Sequence, residues 1–284
     1  MKKSLVILAA GKGSRYGGVK QMAVIINDYT LLDFNLYAAT IAGFNHFIFV
    51  ISADIEPAIT QHWTNKLPAT CEVDFIIQNE NPYILQERTI SQQAAKGTAY
   101  ALLCAAHLLN QPFAVINADD LYGINSFKLL HDALYNAKQN VAVLYKLANT
   151  LSNQGGVNRG QCEVLNYKLQ SITEHNYHIT NNNIINELNE VVSGNELVSL
   201  NLWGFQKSAI THLITLFRHF ENNPEGEFQL PHFVSFCQAN NNTFDVYITN
   251  DTWIGLTYKE DLPLLKRTFE TFLMQKVYPK ILWK

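Results

Sequence analysis

The chain has 284 residues, a formal net charge of −3, and 48% hydrophobic and 12% aromatic residues. That length can bury a large core and suits one α/β domain or one and a half, and the composition is that of a globular protein. With no basic surplus to neutralise a phosphate backbone, a nucleic-acid partner is excluded, although local cations suffice for one nucleotide.

Met1-Lys2-Lys3 before the apolar run Leu5–Ala10 imitates a signal peptide. Six apolar residues fall short of the usual seven to fifteen, however, and Lys12 and Arg15 follow at once. A first strand is the better reading. No run approaches the roughly eighteen apolar residues of a membrane span. Cys71, Cys104, Cys162 and Cys237 are far apart and form no C-x-x-C pair, which reads as free thiols. A cytoplasmic protein with no membrane association is expected; whether it forms a homo-oligomer is left open.

In chain order, strands are predicted at Ser4–Ala9, Phe47–Ile51, Val73–Gln78, Phe113–Asn117 and Val141–Tyr145. Helical patterns lie between them at Leu31–Ala42, Pro57–Lys66, Thr98–Leu109 and Ser126–Lys138. This alternation predicts an α/β fold, a mostly parallel sheet covered on both faces, with ligands at the carboxyl ends of strands. Further on, Gln161–Asn166 and Leu169–Glu174 suggest a hairpin, and the polar run Asn176–Asn189 an exposed loop or lid. Glu196–Phe205 alternates like one strand. Helices at Ser208–Phe220 and Glu227–Asn240, a strand at Phe244–Ile248 and a helix at Lys259–Lys276 complete the pattern. One domain is expected, with a nucleotide-binding half (1–147), an acceptor-binding half (148–258) and a C-terminal helix (259–284).

The first strand empties into Gly11-Lys12-Gly13-Ser14-Arg15-Tyr16-Gly17-Gly18-Val19-Lys20-Gln21. Glycines present bare N–H groups to an anion, Arg15 adds a planar fork and Lys20 a movable point charge. The dinucleotide pattern G-x-G-x-x-G fails at Tyr16, and the Walker pattern fails at Val19, where its lysine belongs. Two carboxylates, Asp119 and Asp120, stand at the mouth of the strand Phe113–Asn117, where hard oxygen ligands suit Mg²⁺.

The run L-A-A-G-K-G-S-R-Y-G-G-V-K-Q resembles the signature loop L-A-A-G-x-G-[ST]-R-(x)n-K of the sugar-1-phosphate nucleotidyltransferases, in their short form without a C-terminal β-helix. The resemblance implies a Rossmann-like three-layer sandwich, with Ala10, Gly11, Gly13, Ser14 and Arg15 around the NTP phosphates. It also implies Lys20 at the α-phosphate and Mg²⁺ on Asp119, which matches the family's strand-end Gly-Asp. Gln78 resembles the glutamine that reads uracil or thymine, and Gly97-Thr98-Ala99 the helix start beside the base. The family's late W-[LI]-D-x-G-T finds Trp253-Ile254-Gly255-Leu256-Thr257 here, with no Asp after the Trp, so Asp251 is the remaining candidate for a second metal ligand. For the acceptor, Gly156, Arg159 and Glu163 lie in one suggestive segment, followed by Glu174 and Asn201. The family's Glu-Lys pair is Glu174-His175 here, so Arg159 supplies the missing charge or the acceptor differs.

The implied activity is nucleotidyl transfer from an NTP, UTP or dTTP favoured, to a sugar 1-phosphate or another phosphorylated small molecule. Three alternatives stand beside it: a cytidylyltransferase for an alcohol or amine phosphate such as phosphocholine, a glycosyltransferase with a similar sheet, and an inactive sensor that binds nucleotide-sugar.

Overall fold

The computed structural model describes residues 1–11, 20–64, 66–78, 97–136, 138–152, 155–222, 226–256 and 261–283. Five strands carry the first half: β1 (Ser4–Leu8), β2 (His46–Ile51), β3 (Glu72–Ile77), β4 (Phe113–Asn117) and β5 (Asn140–Lys146). The second half adds β6 (Val157–Leu165), β7 (Lys168–Thr180), β8 (Asn183–Asn186), β9 (Val191–Val192), β10 (Leu197–Ser199), β11 (Trp203–Phe205) and β12 (Phe244–Ile248). All belong to one sheet, in the order β9-β8-β7-β6-β10-β5-β11-β4-β1-β2-β3, with β12 paired to β5 and β7. β1 is parallel to both β2 and β4, and β2 to β3, while β11 runs antiparallel between β4 and β5.

Alternation along the strands divides the core into two layers. Leu5 and Ile7 of β1 face one way with Phe47, Phe49 and Ile116. There they meet α1 (Leu31–Ala42), α2 (Glu56–Trp63) and α4 (Ile124–Asn136) through Leu36, Trp63 and Phe127. Val6, Ile48 and Val115 face the other way, onto α3 (Thr98–Cys104), α5 (Ala209–Asn222) and α6 (Leu230–Ala239). A third cluster seats α7 (Leu262–Met274) against the outer side of α1, with Phe34 and Phe269 ring centroids 4.2 Å apart. Strand β1 is buried on both faces, which explains its unbroken apolar run.

From β1 the chain moves outward through β2 to β3, then returns to place β4 on the other side of β1. A crevice opens at the carboxyl ends of these strands, beside the loops leaving β1 and β4. Both loops leave in register: Ala9 N–H donates to Val50 O at 2.8 Å, and Ala118 N–H to Leu8 O at 3.1 Å.

Three expectations change. The polar run 176–189 is sheet: β7 continues to Thr180, turns at Asn181-Asn182 and returns as β8. Both turn residues have positive φ (51° and 61°), as a two-residue hairpin turn demands and as asparagine tolerates. Glu196–Phe205 is two strands, because Asn201 at φ 61° breaks the extended backbone between β10 and β11. The helix at Thr98 ends at Cys104 and gives way to a 3₁₀ turn at Ala106–Leu108. Among the described residues no helix is long and apolar enough to cross a membrane.

Asn182→Val puts a β-branched side chain at positive φ and is expected to cost about 1–2 kcal/mol in urea unfolding. Asn182→Gly should leave stability close to that of the parent.

Candidate active site

The crevice is a cavity of about 750 Å³ across the carboxyl ends of four strands. β1 contributes Ala10 and Gly11, β2 the run Ser52–Asp54, β3 Gln78, and β4 Asn117 and Asp119. Gly97, Thr98 and Ala101 line it from α3, and Glu227 from the segment before α6. Gln78 is fixed at its strand end by its N–H to Ile51 O at 2.7 Å.

Lys20 returns the chain to this cavity. Gln21 is buried and its Nε2 donates to Ala9 O at 3.0 Å and Gly11 O at 3.1 Å, tying the end of the loop to its beginning. Lys20 then reaches Asp119, Nζ to Oδ2 at 2.6 Å. The ammonium is 13% exposed and the carboxylate 38%, so the pair stands at the cavity wall and Asp119 keeps open surface. Gly13, Ser14 and Arg15 lie outside the described residues.

Asp120 is held differently from its neighbour. Its Oδ1 accepts from Trp253 Nε1 at 2.8 Å and its Oδ2 from Asn117 Nδ2 at 2.9 Å. Asn35 of α1 clamps the loop by donating to Asp120 O at 2.5 Å and accepting from Tyr122 N–H at 3.2 Å. Burial, and then the charge of Asp119, pushes the Asp120 carboxyl up to about 6, against the pull of Asn117, Arg159 and Trp253.

A second recess of about 70 Å³ shares Asn117 with the cavity and is lined by Asp120, Asn158, Arg159, Glu174, Ser199 and Asn201, among others. Three acceptor candidates thus meet: Arg159, Glu174 and Asn201. Arg159 is not a free cation there. It is 8% exposed, donates to Asn158 O at 2.7 Å and Thr150 O at 2.6 Å, and stacks 4.2 Å above the Trp253 ring. Burial lowers its pKa to about 10. Gly156 and Glu163 are exposed and line neither space, because Glu163 sits farther along β6, opposite Ser171. His175, at the position of the family's lysine, is engaged by Glu187 at 2.8 Å.

Asp251, the candidate for a second metal ligand, lines neither space. Its Oδ2 accepts from Ser126 N–H at 2.8 Å and Ser126 Oγ at 2.9 Å, and its Oδ1 from Asn125 at 3.2 Å, so it caps the start of α4. Gly255, two residues after Trp253, carries no side chain, and a Cβ there would collide with the Trp253 indole. No group of three or more His, Cys, Asp or Glu able to hold a metal occurs among the described residues. At the β4 end of the cavity Asp119 therefore offers a single hard carboxylate. That fits Mg²⁺, which takes one or two carboxylates and completes its shell with water and substrate phosphates.

Asn117 and Glu227 are the site residues that motif reading missed. Asn117 had a signal, as a polar residue ending an otherwise apolar strand; Glu227 had none.

One other constellation invites a catalytic reading. Ser4 Oγ lies 2.8 Å from His46 Nδ1, and His46 Nε2 2.7 Å from Asp74 Oδ2. The serine is 4% exposed and stands at the amino end of β1, away from the crevice. This is a buried polar tie across β1, β2 and β3, since a nucleophile needs substrate access.

These features define a Rossmann-like α/β fold with a nucleotide-sized cavity at its topological switch point. The chain belongs to the nucleotidyl transferase family, whose sequence profile matches residues 4–174. No curated protein matches the sequence. Solved structures share the fold over nearly the whole chain. A UDP-glucose pyrophosphorylase from Acinetobacter baumanii matches with TM-score 0.65 at 17% identity, covering 99% of this chain and 96% of its own. An inositol-1-phosphate CTP transferase from T. maritima matches with TM-score 0.65 at 14% identity, covering 99% and 98%. A UDP-glucose pyrophosphorylase complexed with UDP-glucose gives 0.65 at 16%, covering 95% and 99%.

Two outcomes are expected. Asp251→Ala should lose about 1–2 kcal/mol of stability in denaturant unfolding, as a lost helix cap does. Asp120, with its folded pKa raised to about 6 over an unfolded value of about 3.9, binds more protons folded than unfolded between those values. Its contribution to stability therefore falls as pH rises through that window. The Tm of Asp120→Asn minus that of the parent should climb from pH 4 to 7 and then level off.

Proposed function

We propose that the protein couples an NTP, UTP or dTTP favoured, to a sugar 1-phosphate, giving an NDP-sugar and pyrophosphate. The observation that carries this reading is one cavity with Gln78 and Asp119 at its two ends. The strands they terminate are three spacings apart, about 14 Å, which suits a nucleotide lying from base edge to phosphates. An amide at the base end can accept from N3–H of uracil or thymine and donate to the adjacent carbonyl.

An oxygen of the acceptor phosphate attacks the α-phosphorus; a new P–O bond forms as the α–β bridge breaks and pyrophosphate leaves. The attacking oxygen is already ionised, so the protein positions the groups and offsets charge, with no covalent intermediate. Backbone N–H groups of Gly11 and Gly13, with Arg15, hold the β- and γ-phosphates. Lys20 exchanges Asp119 for the α-phosphate. Asp119 is the carboxylate that would hold Mg²⁺, which would supply positive charge to offset that of the phosphates. The recess of Glu174, Asn201, Asn158 and Ser199 presents hydroxyl partners for the acceptor's body.

The Glu174-His175 departure from the family's pair leaves the acceptor's phosphate without its usual lysine, which favours testing alcohol and amine phosphates with CTP in the same screen.

Pyrophosphate release from four NTPs against a panel of sugar 1-phosphates and alcohol phosphates tests the assignment. Asp119→Ala and Arg15→Ala should each lower the rate at least ~100-fold with Tm nearly unchanged. Parent-like release by either variant overturns the roles of these two residues, and metal-independent silence with every pair supports the sensor reading.

A further inference from the structure

The cavity holds a carboxylate that the transfer reaction does not call for. Glu227 reaches it from the second half of the chain, on the wall formed by the start of α3. Its placement is enforced by its neighbours. Phe228 is buried, and its carbonyl accepts from Ala99 N–H at 3.0 Å and Tyr100 N–H at 3.3 Å. Leu230 N–H donates to Thr98 Oγ1 at 2.8 Å. The close approach depends on Gly97, whose φ of 153° lies in a region essentially restricted to glycine. Any Cβ at 97 would collide with the Phe228 carbonyl. The Phe228 carbonyl thus takes two N–H groups of the helix start, those of Ala99 and Tyr100.

Helix α3 packs on β1 and β2, the two middle strands between Gln78 on β3 and Asp119 on β4. In the proposed pose the base lies at Gln78 and the phosphates at Asp119. The sugar that joins them therefore lies at the middle strands, beneath the wall that carries Glu227. Glu227 Oε2 accepts from Gln229 Nε2 at 3.1 Å, and the acceptor sites that remain on its two oxygens complement a vicinal diol. We infer that Glu227 accepts from the ribose 2′- and 3′-hydroxyls and makes the enzyme select ribonucleoside over 2′-deoxyribonucleoside triphosphates. This rests on the proposed nucleotide pose and narrows it: of the two favoured donors, UTP is preferred to dTTP.

The test isolates the 2′-hydroxyl by comparing UTP with dUTP, and CTP with dCTP, so that the base is constant within each pair. Binding is measured by titration calorimetry with Mg²⁺, and kcat/KM by pyrophosphate release. The parent should prefer the ribonucleotide about 10-fold, the size of one charge-assisted hydrogen bond at a partly exposed site. Glu227→Ala should bring that ratio to within about twofold of unity, through weaker ribonucleotide binding, and Glu227→Gln to an intermediate value. Glu227 is exposed, so both variants should fold, which their Tm verifies. Equal use of both sugars by the parent, or a ratio that survives Glu227→Ala, overturns the inference. Should no NTP release pyrophosphate with any acceptor, the proposed reaction fails instead, and the calorimetric ratio still decides the role of Glu227.

Discussion

The reversal of strand order at β1 is the constraint from which the rest of the site follows. With β2 and β4 both parallel to β1 and on opposite sides of it, the carboxyl ends of all three point the same way. Strand-end groups from both sides of β1 therefore face a common space. Four strands end there in register, so Gln78, Ser52–Asp54, Ala10–Gly11 and Asp119 form a row across the sheet. The row's spacing is a property of the backbone ladder. Side chains only choose what it reads.

Charge within that row is balanced locally. Asp119 and Asp120 are sequence neighbours, and burial together with the charge of Asp119 raises the proton affinity of Asp120. The fold separates their fates: Asp119 is given Lys20 and an open surface, while Asp120 is turned inward to Trp253 and Asn117. Asp120 thereby becomes a structural acceptor between the two cavities, with Arg159 stacked behind Trp253 as its distant countercharge. In the proposed reaction Lys20 and Asp119 exchange each other for phosphate and Mg²⁺, so neither charge goes unpaired on the way.

Much of this is legible in the sequence, for reasons that differ by region. The helix Leu31–Ala42 is legible to the residue, because Thr30 and Asp33 form a capping box and Gly43 ends the helix at φ 113°. Strand β4 is equally plain, being wholly apolar up to Asn117. The strand ends also announce the loop and Asp119. The second half is less legible, since its asparagines serve opposite ends. Asn181 and Asn182 make a tight hairpin turn that a polar-loop reading conceals, whereas Asn201 interrupts what alternation presents as one strand. Periodicity reports burial, and says nothing of a single left-handed residue.

The acceptor side is the least legible because its partners come from distant segments. Arg159, a natural phosphate ligand by type, is diverted by two backbone carbonyls and an indole contributed nearly a hundred residues later. Asp251 is diverted likewise, to the start of α4. Glu227 runs the other way: an ordinary exposed residue in sequence, it enters the nucleotide cavity because Gly97 lets the Phe228 carbonyl cap α3. In each case the residue type states what chemistry is available, and a backbone contact from another element decides whether that chemistry faces the substrate. A helix cap and a glycine, both structural features, thus set which carboxylates the site can use.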